Sequence, residues 1–146
     1  MKTSLNQIIS ILETITTNHK QIKGFEFNDV ADWAGNTDNL YPFVLCDVQP
    51  SNFSTKIVSL TISVMVMDII KKDTSNQNEV LSDTLQILDD LIAELHNDSY
   101  VSQFIIKDDI QARPFNDSQG DEVGGWVANL TFDISSPYNR CIVPTN

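Results

Sequence analysis

Residues Ile57 to Ile70 read IVSLTISVMVMDII, and through most of this run every second residue is apolar and strand-forming. That period of two belongs to a strand with one buried face, and no helix can satisfy it. Val58, Leu60, Ile62, Val64 and Val66 share one side, while Ser59, Thr61, Ser63 and Met65 share the other. One face is therefore expected to pack on helices and the other to be partly polar. The run carries Ser59, Thr61, Ser63 and Asp68 and is too short for a membrane-spanning helix.

Two segments carry the helical period instead. Leu5, Ile8, Ile9, Leu12 and Ile15 predict an amphipathic helix over Ser4 to Thr17, with Ser4 and Gln7 spaced as a capping box and an end near Asn18 or His19, before Gly24. Leu81, Leu85, Leu88, Ile92 and Leu95, flanked by Val80, Ile87 and Leu91, predict a second helix to about Asn97. Asn76 and Glu79 stand at its N-cap and N3 spacing.

Further strands are expected at FVLCDV, after Tyr41 and Pro42, and in a hairpin with arms at Ile110–Pro114 and Val123–Ser135. Trp126, Ala128, Leu130, Phe132 and Ile134 fall on one face of the second arm. An extra strand is indicated near Phe25 to Phe27, and Tyr100 to Ile106 reads equally as strand or loop. Mostly short connections favour an antiparallel β-sheet with two amphipathic helices packed on one face, an α+β class. The other face is expected to be free, and Met65 and Met67 on it would suit subunit packing because methionine adapts to partners. The whole chain, 1–146, reads as a single domain with an extended C-terminal arm from about 136.

A chain of 146 residues, 41% of them hydrophobic, can bury a core without disulfide or metal. Its formal charge of −11 repels nucleic acid and disfavours ordinary DNA or RNA binding. Such a charge suits the wall of a DNA conduit, although acidity serves solubility first. The N-terminal MKTSLNQIIS lacks the apolar core and cleavage site of a secretory signal, so a cytoplasm-like compartment is expected. Cys46 and Cys141 stand far apart without CxxC spacing and read as buried thiols.

Catalytic signatures are missing: no GxGxxG, P-loop, GxSxG or HExxH occurs. His19 and His96 each stand near a predicted helix end, where histidine commonly caps or is solvated. Asp29, Asp32 and Asp38, and separately Asp117, Asp121 and Glu122, do not match the alternating ligands of a calcium loop. No enzyme activity, cofactor or metal is expected.

Several stretches taken together carry a resemblance. "YPFVLCDVQPS", "NEVLSDTLQILDDLIAEL" and "DEVGGWVANLTFDISSPYNRCIVP" resemble small structural proteins of tailed phages of gut Bacteroidales, including crAss-like phages. More broadly the chain is similar to the neck, tail-terminator and head-tail connector group, whose fold is an antiparallel sheet flanked by helices. The resemblance implies a virion protein assembled in the host cytoplasm as a homo-oligomeric ring, hexameric at tail termini and often dodecameric in necks. Such a ring contacts the portal and adjacent neck or tail proteins and surrounds the genome exit path without specific DNA binding.

On this reading the contact candidates are Trp33, Tyr41, Met65, Met67, Phe115, Asp121 and Trp126, and Phe115 to Gly125 is expected to order only in the assembly. The rival from another class is a small non-catalytic protein-binding module of phage or bacterial origin. A third reading, a metal-dependent hydrolase using loop carboxylates, predicts a thermal shift with Ca²⁺, Mg²⁺ or Mn²⁺ that disappears on changing Asp29, Asp32 or Asp121 to Asn. Reading those carboxylates as solvated charge predicts no ion-specific change in Tm when the three ions are titrated.

Overall fold

Ser4 caps the first helix as its spacing from Gln7 predicts. In the computed structural model, which describes residues 3–28, 40–117, 122–136 and 144, the Gln7 amide N–H donates to Ser4 Oγ and the Ser4 N–H donates to Gln7 Oε1, at 3.3 and 2.7 Å. This capping box satisfies two of the amides that a helix start leaves without partners. Helix α1 (Leu5–Asn18) buries Ile8, Leu12, Ile15 and Thr16, and the Thr16 hydroxyl satisfies itself on the Leu12 carbonyl at 2.9 Å. At His19 the backbone turns extended and the helix stops.

Strands β1 (Gly24–Phe27), β2 (Phe43–Val48), β3 (Asn52–Ser54) and β4 (Ile57–Ile69) follow. Helix α2 (Gln77–Leu95) leads through a short 3₁₀ turn (Asp98–Tyr100) into β5 (Ile105–Ile106), β6 (Ala112–Asp117) and β7 (Val123–Ser135). Among the described residues seven strands form one sheet in the order β1–β2–β4–β7–β5. β3 joins the edge of β4 and β6 the edge of β7. The mixed α+β fold expected from periodicity is the fold observed.

At its centre β4 and β7 pair antiparallel over their whole length, from Ile57 opposite Ser135 to Ile69 opposite Val123. Val44 and Cys46 of β2, Ile62, Val64 and Val66 of β4, and Ala128, Leu130, Phe132 and Ile134 of β7 form the inner face. Against it pack Ile8, Leu12 and Ile15 of α1 and Ile87, Leu88, Leu91 and Leu95 of α2. Each such fully buried aliphatic side chain contributes about 1.5–3 kcal/mol relative to exposure. Phe104 closes one end of this core, its ring edge-on to Phe132 at 5.0 Å.

Four local expectations are corrected. β1 pairs parallel with β2, Gly24 opposite Phe43, so the sheet is not wholly antiparallel; the stretch from Asn28 to Pro42 is long enough to return the chain for that pairing. Asn76 begins α2 without a side-chain cap bond. Its carboxamide turns back instead, donating to the Ile69 carbonyl at 3.1 Å and accepting the Lys71 N–H at 2.8 Å, which closes the turn after β4. The hairpin arm runs Ala112–Asp117 rather than Ile110–Pro114. Consequently Phe115 pairs with Gly125 and Asp117 with Val123, so the margins of the segment expected to order only on assembly are already in the sheet. The predicted loop carboxylates Asp29, Asp32 and Asp38, together with Cys141 and nearly all of the C-terminal arm, lie outside the described residues.

Gly125 shows how closely the central strands approach. A Cβ built there lands on the Val66 carbonyl oxygen, whereas one at Gly124 first meets the terminal methyl of Ile70, which can rotate aside. Gly125→Ala is therefore expected to lose about 3 kcal/mol in urea unfolding, with a smaller loss for Gly124→Ala.

Candidate assembly surfaces

The sheet face turned away from the helices divides sharply along its length. Because side chains alternate, Ser59, Thr61 and Ser63 of β4 share this face with Asn129, Thr131 and Asp133 of β7 and Asp47 of β2. Ser59 Oγ donates to Asp133 Oδ1 at 2.6 Å, and the Thr61 and Thr131 hydroxyls meet at 3.2 Å. These directly opposed pairs zip the polar half together across the central ladder.

The other half is apolar. Phe43, Leu45, Met67 and Val123 form a second buried cluster, with Tyr41, Met65 and Phe115 packed around it. Register explains the grouping: Phe43 lies opposite Met67, Met67 opposite Gly125, and Gly125 opposite Phe115. Tyr41 leans on Phe43 with ring centroids 6.1 Å apart. Four residues chosen from sequence as contact candidates thus converge here: Tyr41, Met65, Met67 and Phe115.

Two candidates need correction. Met67 is 0% exposed, so it serves a core and not a surface, and the face expected to be free is buried at this end. Trp126 stands on the opposite face, packed against the main core, and its Nε1–H donates to the Leu81 carbonyl at 2.8 Å. It fastens α2 to the sheet. Trp33 and Asp121 lie outside the described residues, while Tyr41, Met65 and Phe115 remain partly exposed.

Sequence reasoning missed the most exposed apolar groups. At the β3–β4 end of the sheet, Phe53 is 70% and Ile105 65% exposed, with Ile57 also open, while Val48, opposite Ile62, Leu85 of α2 and Val101 are exposed elsewhere. Phe53 pairs with Val58, Ile57 with Ser135 and Ile105 with Asp133, which places these three towards that end, Phe53 on the helix-side face and Ile57 and Ile105 on the outer one. At the other end Ile69 pairs with Val123, and Leu40, 65% exposed, has its carbonyl against Gly24 beside Phe43. The run of β4 from Ile57 to Ile69 separates the two ends by about 40 Å. A phenylalanine flanked by Asn52 and Ser54, in a segment rich in turn residues, was the one available signal.

Burial pushes the Cys46 thiol far up, keeping it protonated and inert. His96 caps α2, its Nδ1 donating to the Ile92 carbonyl at 2.8 Å. Among the described residues no three His, Cys, Asp or Glu side chains are grouped to hold a metal ion, and no helix is long and apolar enough to cross a membrane. No protein-family model matches the chain, and no curated protein matches it significantly.

Met67→Ala is expected to cost about 2–5 kcal/mol in chemical unfolding and Met65→Ala distinctly less, since only the former opens a sealed cavity. Trp126→Phe should lose about 1 kcal/mol by removing the Nε1–H bond that ties α2 to the sheet, the Leu81 carbonyl keeping the Thr84 hydroxyl at 3.4 Å.

Proposed function

We infer that this chain is a ring-forming structural subunit of a tailed phage, placed at the neck or tail terminus, where it joins the portal-bearing head to the tail around the genome exit channel. The observation that carries this reading is the placing of exposed apolar groups towards both ends of the β4–β7 ladder: Phe53 on the helix-side face with Ile57 and Ile105 on the outer face at one end, and Leu40 and Ile69 at the other, with Tyr41, Met65 and Phe115 near the second. One self-complementary patch would favour a two-fold dimer. Two different patches on one chain suit head-to-tail contacts, which close into a ring when the rotation between neighbours permits.

Charge supports the same reading. A net −11 keeps a channel wall from gripping the DNA that passes it. Partners are then other copies of the chain, the portal and the adjacent neck or tail proteins, and the site of action is the virion. The mechanism is shape complementarity, with no catalytic step. A small binding module, the rival reading, would need only one of the two patches.

The test uses exposed positions, so that the fold is spared. Phe53→Asp and Leu40→Asp are each expected to abolish rings while leaving Tm nearly unchanged, because a central apolar contact is worth about 2 kcal/mol or more per interface. An equimolar mixture should yield dimers but no rings, since each variant retains the patch that the other lacks. Rings that persist in both variants, or a mixture that stays monomeric, would remove the two-patch account.

A further inference from the structure

His19 stands where α1 ends, in a groove of about 650 Å³ between that end and the last turns of α2. Its ring makes two bonds of opposite sense. The Gln21 backbone N–H points at Nδ1 at 3.2 Å, and Nε2 lies 2.9 Å from Asp90 Oδ2. A backbone amide can only donate, so Nδ1 is the bare nitrogen and Nε2 carries the hydrogen given to Asp90. These partners select one neutral tautomer. The imidazole is 15% exposed and the Asp90 carboxyl 48%, so solvent reaches the pair mainly from the carboxylate side.

Other charged or titratable groups line the same groove. Glu94 stands one turn beyond Asp90 on α2, Lys20 follows His19 in the connector, and Tyr100 comes from the 3₁₀ turn. Asp90 bonds the ring directly, while Glu94 adds negative and Lys20 positive charge to the lining of the groove. The connector itself leads directly into β1, an edge of the sheet among the described residues, through Lys23, whose N–H donates to the Pro42 carbonyl at 2.9 Å.

Protonation reverses one of the two bonds and strengthens the other. Once Nδ1 carries a hydrogen it faces the Gln21 N–H donor to donor, and that amide loses its acceptor. The Nε2–H bond to Asp90 becomes a charge-assisted ion pair, so the ring stays with α2. Histidine is the side chain suited to make this exchange between about pH 5 and 8. The geometry points to His19 as a pH-sensitive clasp: neutral, it holds the start of the α1–β1 connector; protonated, it releases the connector and tightens its own bond to α2. The inference is independent of the ring reading and concerns only the single chain.

Residue-level hydrogen exchange on the full chain from pH 8 to pH 5, corrected for intrinsic rates, tests it. Protection of the Gln21 amide should fall about tenfold, the worth of one hydrogen bond, while amides of the β4–β7 ladder keep theirs. At pH 8 the ¹⁵N shifts of His19 should report the form with hydrogen on Nε2. His19→Asn offers a carbonyl oxygen near the Nδ1 position without a titrating group, and its Gln21 protection should not change with pH. Flat Gln21 protection in the unmodified chain, an equal fall in His19→Asn, or hydrogen on Nδ1 at pH 8 would each overturn the assignment.

Discussion

The ladder between β4 and β7 is the constraint on which the rest of the structure depends. It is unbroken from Ile57–Ser135 to Ile69–Val123, and β2, β3, β5 and β6 all attach to one or other of these two strands. Because the side-chain period is two, a slip of one residue would turn the inner face of either strand outward. Burial of Ile62, Val64, Val66, Leu130 and Phe132 against two helices therefore fixes the register of the whole sheet. The close approach at Gly125 belongs to the same ladder, since a side chain there would push the strands apart at Val66.

With the register fixed, the outer face follows from sequence position alone, and it has two characters. Opposed hydroxyl and carboxyl pairs line one half, where they bond to each other. Aromatic and thioether groups line the other, where they bury one another around Met67. Of the apolar groups left exposed, Phe53, Ile57 and Ile105 lie towards one end of the ladder and Leu40 and Ile69 towards the other, while Leu85 stands on α2 and Val101 follows the 3₁₀ turn. In the assembly we propose, these exposed apolar groups would be the ones buried between subunits, while a net charge of −11 discourages contact with nucleic acid.

How much of this was legible depended on how local the signal was. The α1 boundaries were readable because Ser4, Gln7 and the Ile8–Leu12–Ile15 spacing carry both cap and period within a few residues. β4 and β7 were readable from alternation, and with them the α+β class. The parallel pairing of β1 was not, because a crossover is a property of the path taken and not of the strand. Asn76 misled because one carboxamide serves equally as helix cap or turn closure, and the tertiary position of Ile69 decided between them. Met65 and Met67 point the same way on β4, yet only Met67 is sealed; that difference comes from Phe43 and Val123, distant in sequence. Phe53 was overlooked because a turn segment hides an apolar residue from any periodicity search.

The resemblance to neck and tail-terminator proteins and the exposed apolar groups towards both ends of the ladder lead to the central proposal, that the chain assembles with copies of itself. Light scattering behind size exclusion, with negative-stain microscopy of any large species, tests that claim most directly. Closed rings with a central channel, at a mass several times that of the chain, are the predicted result. A species of single-chain mass at every concentration, with no rings on the grid, would contradict it.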